Sequence, residues 1–290
     1  MKICFFKQGD IDREKYDQCV LSAANGVIYA MSWYLDAVAP DWSLLATPDY
    51  SFVMPLPRKQ KFGIPYLLQP LMCQQLGIFS EETILEKTYR QFIKKIPAAY
   101  CILQLNSGNL FAQKELRSNC VLDIRPDYES IRSRYHNNTR ADLKKSAKAD
   151  LLIDHQTDYP AILEFAKQQS PYYTGKVLDI ATRLAEKAHE KDSLLARCVR
   201  DKASSELVSA VLFFRWKNRL YYLLPVSSAE GKKTSAMRFL LDRFIAEFAG
   251  KAYWIDFEGS VLPSVAQFYR NFGAVMEWYP VFRSFAARIL

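Results

Sequence analysis

Three groups of residues have the types and spacing to do chemistry, and all lie beyond residue 220. The loop Ser227-Ser-Ala-Glu-Gly-Lys-Lys-Thr234 precedes a helical pattern that begins near Ser235. The first amide N–H groups of a helix have no intrahelical partner and sit at the positive end of its dipole, so they attract an anion. Gly231, Lys232, Lys233, Thr234 and Ser235 are compatible with such a cradle; a basic loop ahead of an ordinary helix is the plainer alternative. Asp256 and Glu258 flank Phe257 at the end of an apolar strand, where alternation puts both carboxylates on one side. There they could take a proton from an ammonium nucleophile, directly or through water, or sit at a rim paired with lysine or arginine. Tyr269 stands four residues before Gly273, a helix stop. A phenol is neutral at pH 7 and can donate a hydrogen bond to developing charge, although a tyrosine packed on a helix's core face reads the same way.

Other chemistries find no support. The six cysteines are scattered, with no C-x-x-C pair and no clustering with the three histidines, so neither zinc nor a disulfide framework is expected. That pattern suits a reducing cytoplasm. No run of 18 apolar residues occurs, so no membrane span is expected, and Met1–Asp10 reads as a first strand. The G-x-G-x-x-G, G-x-x-x-x-G-K-[ST] and G-x-S-x-G signatures are absent. With 290 residues, half of them apolar, the chain can build one large or two medium domains.

The net charge of +8 is uneven: residues 1–120 carry 13 basic against 11 acidic residues, which leaves +6 for the rest. Residues 131–148 hold Arg132, Arg134, Arg140, Lys144, Lys145 and Lys148 against Asp142 alone. In a continuous helix, Arg132, His136, Arg140, Lys144 and Lys148 form a stripe at i, i+4 spacing. It is either a solvated basic face or a surface for the phosphates of a cofactor or RNA.

The elements that would position these residues show an internal duplication. Ser43-Leu-Leu-Ala46 recurs as Ser193-Leu-Leu-Ala196. After the first copy come apolar runs at 50–59 and 64–70, a polar loop, a helical pattern at 81–96 and a strand at 100–105. After the second come strands at 207–216 and 220–226, a polar loop, a helix at 235–249 and a strand at 253–257. Ala236, Phe239, Leu240, Phe244 and Phe248 give the last helix one apolar face. Each unit, 1–120 and 121–290, is therefore a hairpin-containing sheet that continues through a strand–helix–strand crossover. Pro225, inside a strand, fits a bulge, because it cannot donate a ladder hydrogen bond.

This order of elements resembles the GNAT superfamily of acyl-CoA N-acyltransferases, and the pairing of units resembles its Fem-type branch, which includes peptidoglycan-bridge aminoacyl transferases. The resemblance rests on the junction Leu223–Arg238, the tail Phe257-Glu-Gly-Ser-Val-Leu-Pro-Ser-Val-Ala-Gln-Phe-Tyr-Arg-Asn-Phe-Gly-Ala274, and Asn137-Asn-Thr-Arg-Ala-Asp-Leu-Lys-Lys-Ser-Ala147. It implies an α/β (α+β) fold of two tandem units, each a mixed, mostly antiparallel sheet flanked by helices. It implies an acyl or aminoacyl transfer from acyl-CoA or aminoacyl-tRNA to a small-molecule or peptide amine, with tRNA held by the basic segment 131–148. Backbone at Leu224 and Val226 would contact the donor, and Tyr269 would protonate the departing thiolate. The family's Arg/Gln-x-x-Gly-x-Gly/Ala loop is missing, since only Gly231 is available, and no long charged helical hairpin is present. A non-catalytic binding module that keeps the fold is the alternative. The first unit, whose loop Cys73–Ser80 leads into Glu81-Glu82, is expected to shape an acceptor groove that Trp33, Tyr34, Tyr172 and Tyr173 could line.

Overall fold

Runs of apolar residues with turn signals between them form the strands, and amphipathic segments form the helices that cover them. The computed structural model describes residues 1–111, 115–258, 262–284 and 286–289, so Gly259–Val261 of the tail motif lies outside the described residues. In chain order the first elements are β1 (Cys4–Phe6), α1 (Arg13–Ser22), α2 (Ser32–Val38), β2 (Trp42–Ala46), β3 (Val53–Lys61), β4 (Ile64–Leu68), α3 (Glu86–Lys94) and β5 (Cys101–Gln104). Next come β6 (Leu116–Asp123), α4 (Tyr128–Ser133), α5 (Asn137–Ser146), β7 (Leu151–Asp154), α6 (Tyr159–Gln169), α7 (Gly175–Glu190), β8 (Leu194–Asp201), β9 (Leu207–Trp216) and β10 (Arg219–Tyr222). The chain continues through β11 (Val226–Ser227), α8 (Ala229–Lys233), α9 (Ala236–Phe248), β12 (Trp254–Asp256), α10 (Pro263–Arg270), β13 (Val275–Arg283) and α11 (Ala286–Ile289).

The compact units are Met1–Ser118 with Trp278–Leu290, and Asn119–Glu277. The tail from Trp278, which the sequence leaves with the second unit, thus belongs to the first. Its Val281 and Phe282 pair with Gln104 and Leu103 of β5. The first sheet runs β1-β2-β3-β4-β5-β13 and the second β7-β8-β9-β10-β12-β6. They repeat strand for strand. Three antiparallel contacts come first in each. A parallel contact follows, β4 with β5 and β10 with β12, and an antiparallel one closes each sheet. Ser43–Ala46 in β2 and Ser193–Ala196, which leads into β8, fall on strands that hold equivalent places. The parallel contacts need crossovers, which α3 and α9 supply.

Two helical expectations are corrected. The pattern at 81–96 becomes helical only at Glu86. Residues 81–85 are irregular, following a segment tied to the sheet where Leu76 N–H donates to Gln104 O and Phe79 N–H to Val53 O. Residues 131–148 do not form one helix: α4 ends at Ser133, and His136 takes extended backbone angles as the N-cap of α5, its Nδ1 accepting from Asn138 N–H at 3.3 Å. His136 N–H donates to Asn271 O, a tertiary bond that a continuous helix would forbid. The i, i+4 basic stripe is therefore broken after Arg132.

In the second unit α4, α5, α9 and α10 pack on one face of the sheet. Ile131, Leu240, Phe244 and Phe272 are buried there with Val211, Phe213 and Ile255. Phe213 stacks on Phe244 at 3.7 Å between ring centres. Burying such a side chain stabilises the fold by about 1.5–3 kcal/mol.

Candidate active site

The strand predicted at 220–226 divides in two. β10 pairs with β12 through Tyr221 opposite Asp256, and Leu223 N–H and Leu224 N–H then both donate to Leu212 O, at 3.0 and 3.4 Å. Val226 resumes pairing on β9, opposite Ala210. This is the bulge expected at Pro225. Past Asp256 the other strand goes its own way, Phe257 N–H donating to Cys120 O. The two parallel strands part at this point. Leu224 and Val226 are buried, and their backbone lies against β9.

Aromatic rings gather where the strands part. Tyr269 stacks on Phe257 at 4.4 Å with 12° between planes, and Tyr222 meets both edge-on, at 5.8 and 5.6 Å. Gly273, at φ +87, stops the chain's helical course just after α10, so Tyr269 lies in that helix's last turn, as expected. Burial pushes the Tyr269 phenol well above its usual range, and the charge of Glu258, then Tyr173, add to it. Burial likewise raises Tyr173, with Tyr172 and Glu258 contributing, and Tyr222, with Tyr269 and Tyr173 contributing. Tyr173 is 6% exposed and Tyr172 57%. The charge of Glu258 thus acts on three phenols, Tyr269, Tyr173 and Tyr172. The sequence points to Tyr269 and Glu258 for chemistry and to Tyr173 only as a groove residue; Tyr222, which the register sets opposite Phe213, is not among its candidates.

The two carboxylates do not alternate as expected, because β12 ends at Asp256 and Glu258 takes φ +49. A positive φ at a non-glycine residue is strained and tends to occur at functional positions. Asp256 is engaged on both oxygens. Asn119 Nδ2 donates to Oδ1 at 2.7 Å, Glu258 N–H to Oδ1 at 3.1 Å, and Arg219 Nη1 to Oδ2 at 2.7 Å. Arg219 also forks onto Glu277 at 2.8 and 3.2 Å. Burial raises the Asp256 carboxyl, opposed by Arg219 and Asn119. Asp256 therefore fixes the end of the strand, and the charge of Glu258 acts on the phenols.

The predicted phosphate cradle is committed to internal contacts. Its loop folds into α8, capped by Ser228 Oγ accepting from Gly231 N–H at 3.1 Å. Gly231 presses on β9 so closely that a Cβ would lie 1.9 Å from Val208 O, so its glycine serves packing. Lys233 pairs with Glu230 at 3.3 Å, and the Thr234 hydroxyl donates to Glu230 O at 2.8 Å. At the start of α9, Ser235 Oγ donates to Asp142 Oδ1 at 3.2 Å, and the other oxygen of Asp142 pairs with Arg238 at 3.1 Å. A protein carboxylate thus stands where an incoming anion was expected. Lys232 has no ion pair among the described residues.

The basic residues reach a different place. Arg132, Arg140, Lys144, Lys202 and Arg243 line a cavity of about 960 Å³ between α4, α5 and α9. Asp242, on its wall, is 3% exposed and accepts from the Tyr128 hydroxyl at 2.8 Å. Burial and Asp242 push that phenol up to about 12. In the first unit Tyr34 is fully buried and donates to Met72 O at 2.5 Å, so it packs the core and does not line a groove. The loop Cys73–Ser80, expected to correspond to the cradle, is buried throughout. Among the described residues no group of three or more His, Cys, Asp or Glu side chains could hold a metal ion, and no helix is long and apolar enough to cross a membrane.

Two mixed sheets of this topology, each with a crossover helix between its parallel strands and the second with a parting there, define the tandem GNAT-like fold. FemX shares it along the whole chain: TM-score 0.69, 12% identity, 100% of this chain and 98% of that one covered. A tandem GNAT protein from the clavulanic acid biosynthesis pathway matches at TM-score 0.54 and 8% identity, with 98% and 99% covered. The C-terminal DUF2156 domain of a putative lysylphosphatidylglycerol synthetase from Agrobacterium fabrum matches at 0.51 and 11%, with 96% and 92% covered. Searched against protein-family models and curated proteins, the sequence returns no match. The chain thus shares the fold of FemX and of the tandem GNAT protein.

Proposed function

We propose that this chain is an acyltransferase of the GNAT/Fem type, moving an acyl or aminoacyl group from an anionic carrier to a small-molecule or peptide amine. The observation that carries the reading is Tyr269, set where β10 and β12 part and sharing its surroundings with Glu258. The amine attacks the acyl carbon, a C–N bond forms, and the carrier's C–O or C–S bond breaks. Glu258 accepts the ammonium proton, the Tyr269 hydroxyl gives its proton to the departing atom, and the second amine proton, lost as the amide forms, returns to the Tyr269 oxygen.

Two observations favour an ester carrier such as aminoacyl-tRNA over acyl-CoA. Asp142 at the start of α9 repels a pyrophosphate there. A phenol raised by burial is also a poor donor to a thiolate, whose conjugate thiol has a pKa of about 8.5, and suits a more basic alkoxide better. The cavity lined by Arg132, Lys144 and Arg243 is then where tRNA phosphates would lie. The scattered spacing of the six cysteines suits a cytoplasmic protein. The alternative, a binding module that keeps the fold without catalysis, also draws on Asp142, which closes the usual donor position.

Thermal melting with acetyl-CoA, longer acyl-CoAs and aminoacyl-tRNA separates the carriers, since a ligand at 100 times its Kd stabilises by about 2.7 kcal/mol. Turnover is then compared between the native protein and Tyr269→Phe. Because the Tyr269 hydroxyl makes no hydrogen bond among the described residues, the variant should fold normally and lose roughly 10- to 1,000-fold in rate. An unchanged rate removes Tyr269 from the chemistry; no turnover with any carrier leaves the binding module.

A further inference from the structure

The hairpin of β3 and β4 outruns both of its neighbours. β2 follows β3 only as far as Trp42 opposite Pro57, and β5 meets β4 only from Cys101 opposite Leu67. Beyond those points the hairpin's strands pair with each other, Lys59 opposite Tyr66, Gln60 opposite Pro65 and Lys61 opposite Ile64. At about 3.3 Å per residue, the three positions from Lys59 to Lys61 project about 10 Å. Two-stranded arms of this kind are marginal in water unless something packs on them.

The tip is Phe62-Gly63, at φ +52 and +77, a two-residue left-handed turn. Such turns favour Asn, Asp or Gly at the first position, and a bulky side chain there is strained. Phe62 is nevertheless 92% exposed, and Ile64 is 68% exposed. Only the Lys61 ammonium lies over the Phe62 ring among the described residues, 5.6 Å from its centre. No Asp or Glu occurs between Asp49 and Glu81, so this stretch of chain carries only positive charge, at Arg58, Lys59 and Lys61.

We propose that this arm is a peripheral membrane anchor, seating Phe62 and Ile64 at the headgroup–acyl boundary of an anionic bilayer while Arg58, Lys59 and Lys61 meet the lipid phosphates. Lys59 and Lys61 share a face with Tyr66 and Ile64, so their stems lie along the apolar side chains and their ammonium groups can reach the surface. A protein partner fits less well. Two apolar side chains on a narrow tip fall far short of the area a stable interface buries, and lysine is depleted at interface centres. A fluid bilayer requires depth and charge but no complementary shape. The proposal is independent of the transfer chemistry.

The test is co-sedimentation of the full chain with phosphatidylcholine vesicles and with vesicles containing phosphatidylglycerol. Binding is expected to the anionic vesicles and to fall with added salt. Phe62→Asn should cut the partition coefficient at least about tenfold, from the loss of one buried aromatic. Its Tm should hold or rise, because asparagine suits the turn. Lys59→Gln with Lys61→Gln should remove the preference for anionic lipid. No binding to either vesicle, or equal binding by Phe62→Asn, overturns the proposal. So does a dimer in solution that Phe62→Asn converts to a monomer, which would make a second copy the occupant.

Discussion

Asp154 ends β7 with a carboxylate that accepts from Gln156 N–H at 2.7 Å, from the Thr157 hydroxyl at 2.5 Å and from Arg200 Nε at 2.7 Å. Burial alone would raise its carboxyl, but Thr157, Arg200 and Gln156 together outweigh that and hold it well below the usual carboxylate range. A folded-state pKa below the unfolded value of about 3.9 stabilises the fold above that pH and is progressively lost as acid protonates the group. Asp154→Asn should therefore lower Tm at pH 7, with the gap to the native protein closing as the pH drops below about 4. A gap that stays constant with pH would show that the charge of Asp154 is not what matters. Tyr269, Glu258 and Asp256 differ in how far the sequence revealed them. Tyr269 was legible because Gly273 marks its turn of helix. The separate roles of the two carboxylates were not, because the partners that hold Asp256, Asn119 and Arg219, come from distant strands.

At the scale of elements, the loop before α9 shows how packing redirects a sequence signal. Glycine with flanking lysines suggests a phosphate cradle, yet Gly231 is the point where α8 meets the Val208 carbonyl. Gly231→Ala should cost about 1–3 kcal/mol or more through overpacking, read as a lower urea midpoint. A midpoint equal to that of the native protein would mean that α8 can lift off β9 freely. Strands and the long amphipathic helix were readable within a few residues, β9 at its full length of Leu207–Trp216. The stop in the basic segment was not, because His136 is held out of the helix by Asn271, more than a hundred residues away.

For the whole molecule, the return of the C-terminal strand to the first unit has a consequence for folding. Leu105 N–H donates to Pro280 O, and Ser284 N–H to Cys101 O, so β5 depends on the tail for its outer ladder. A chain ending at Glu277 should leave Leu103 open to water and lose several net hydrogen bonds of about 1 kcal/mol each. Urea unfolding followed by tryptophan fluorescence should show the first unit melting early, and a synthetic peptide of residues 278–290 should restore it. Early melting that the peptide does not correct would argue against strand replacement. The sequence by itself determined the duplication, the strands and the place of Tyr269 in the last turn of its helix, since periodicity and turn residues act over a few positions. Only the tertiary structure decided which strand completes which sheet, that Asp142 occupies the start of α9, and that the charge of Glu258 acts on the tyrosines while Asp256 is tied down. Those outcomes depend on contacts between residues far apart in the chain, which no local pattern records.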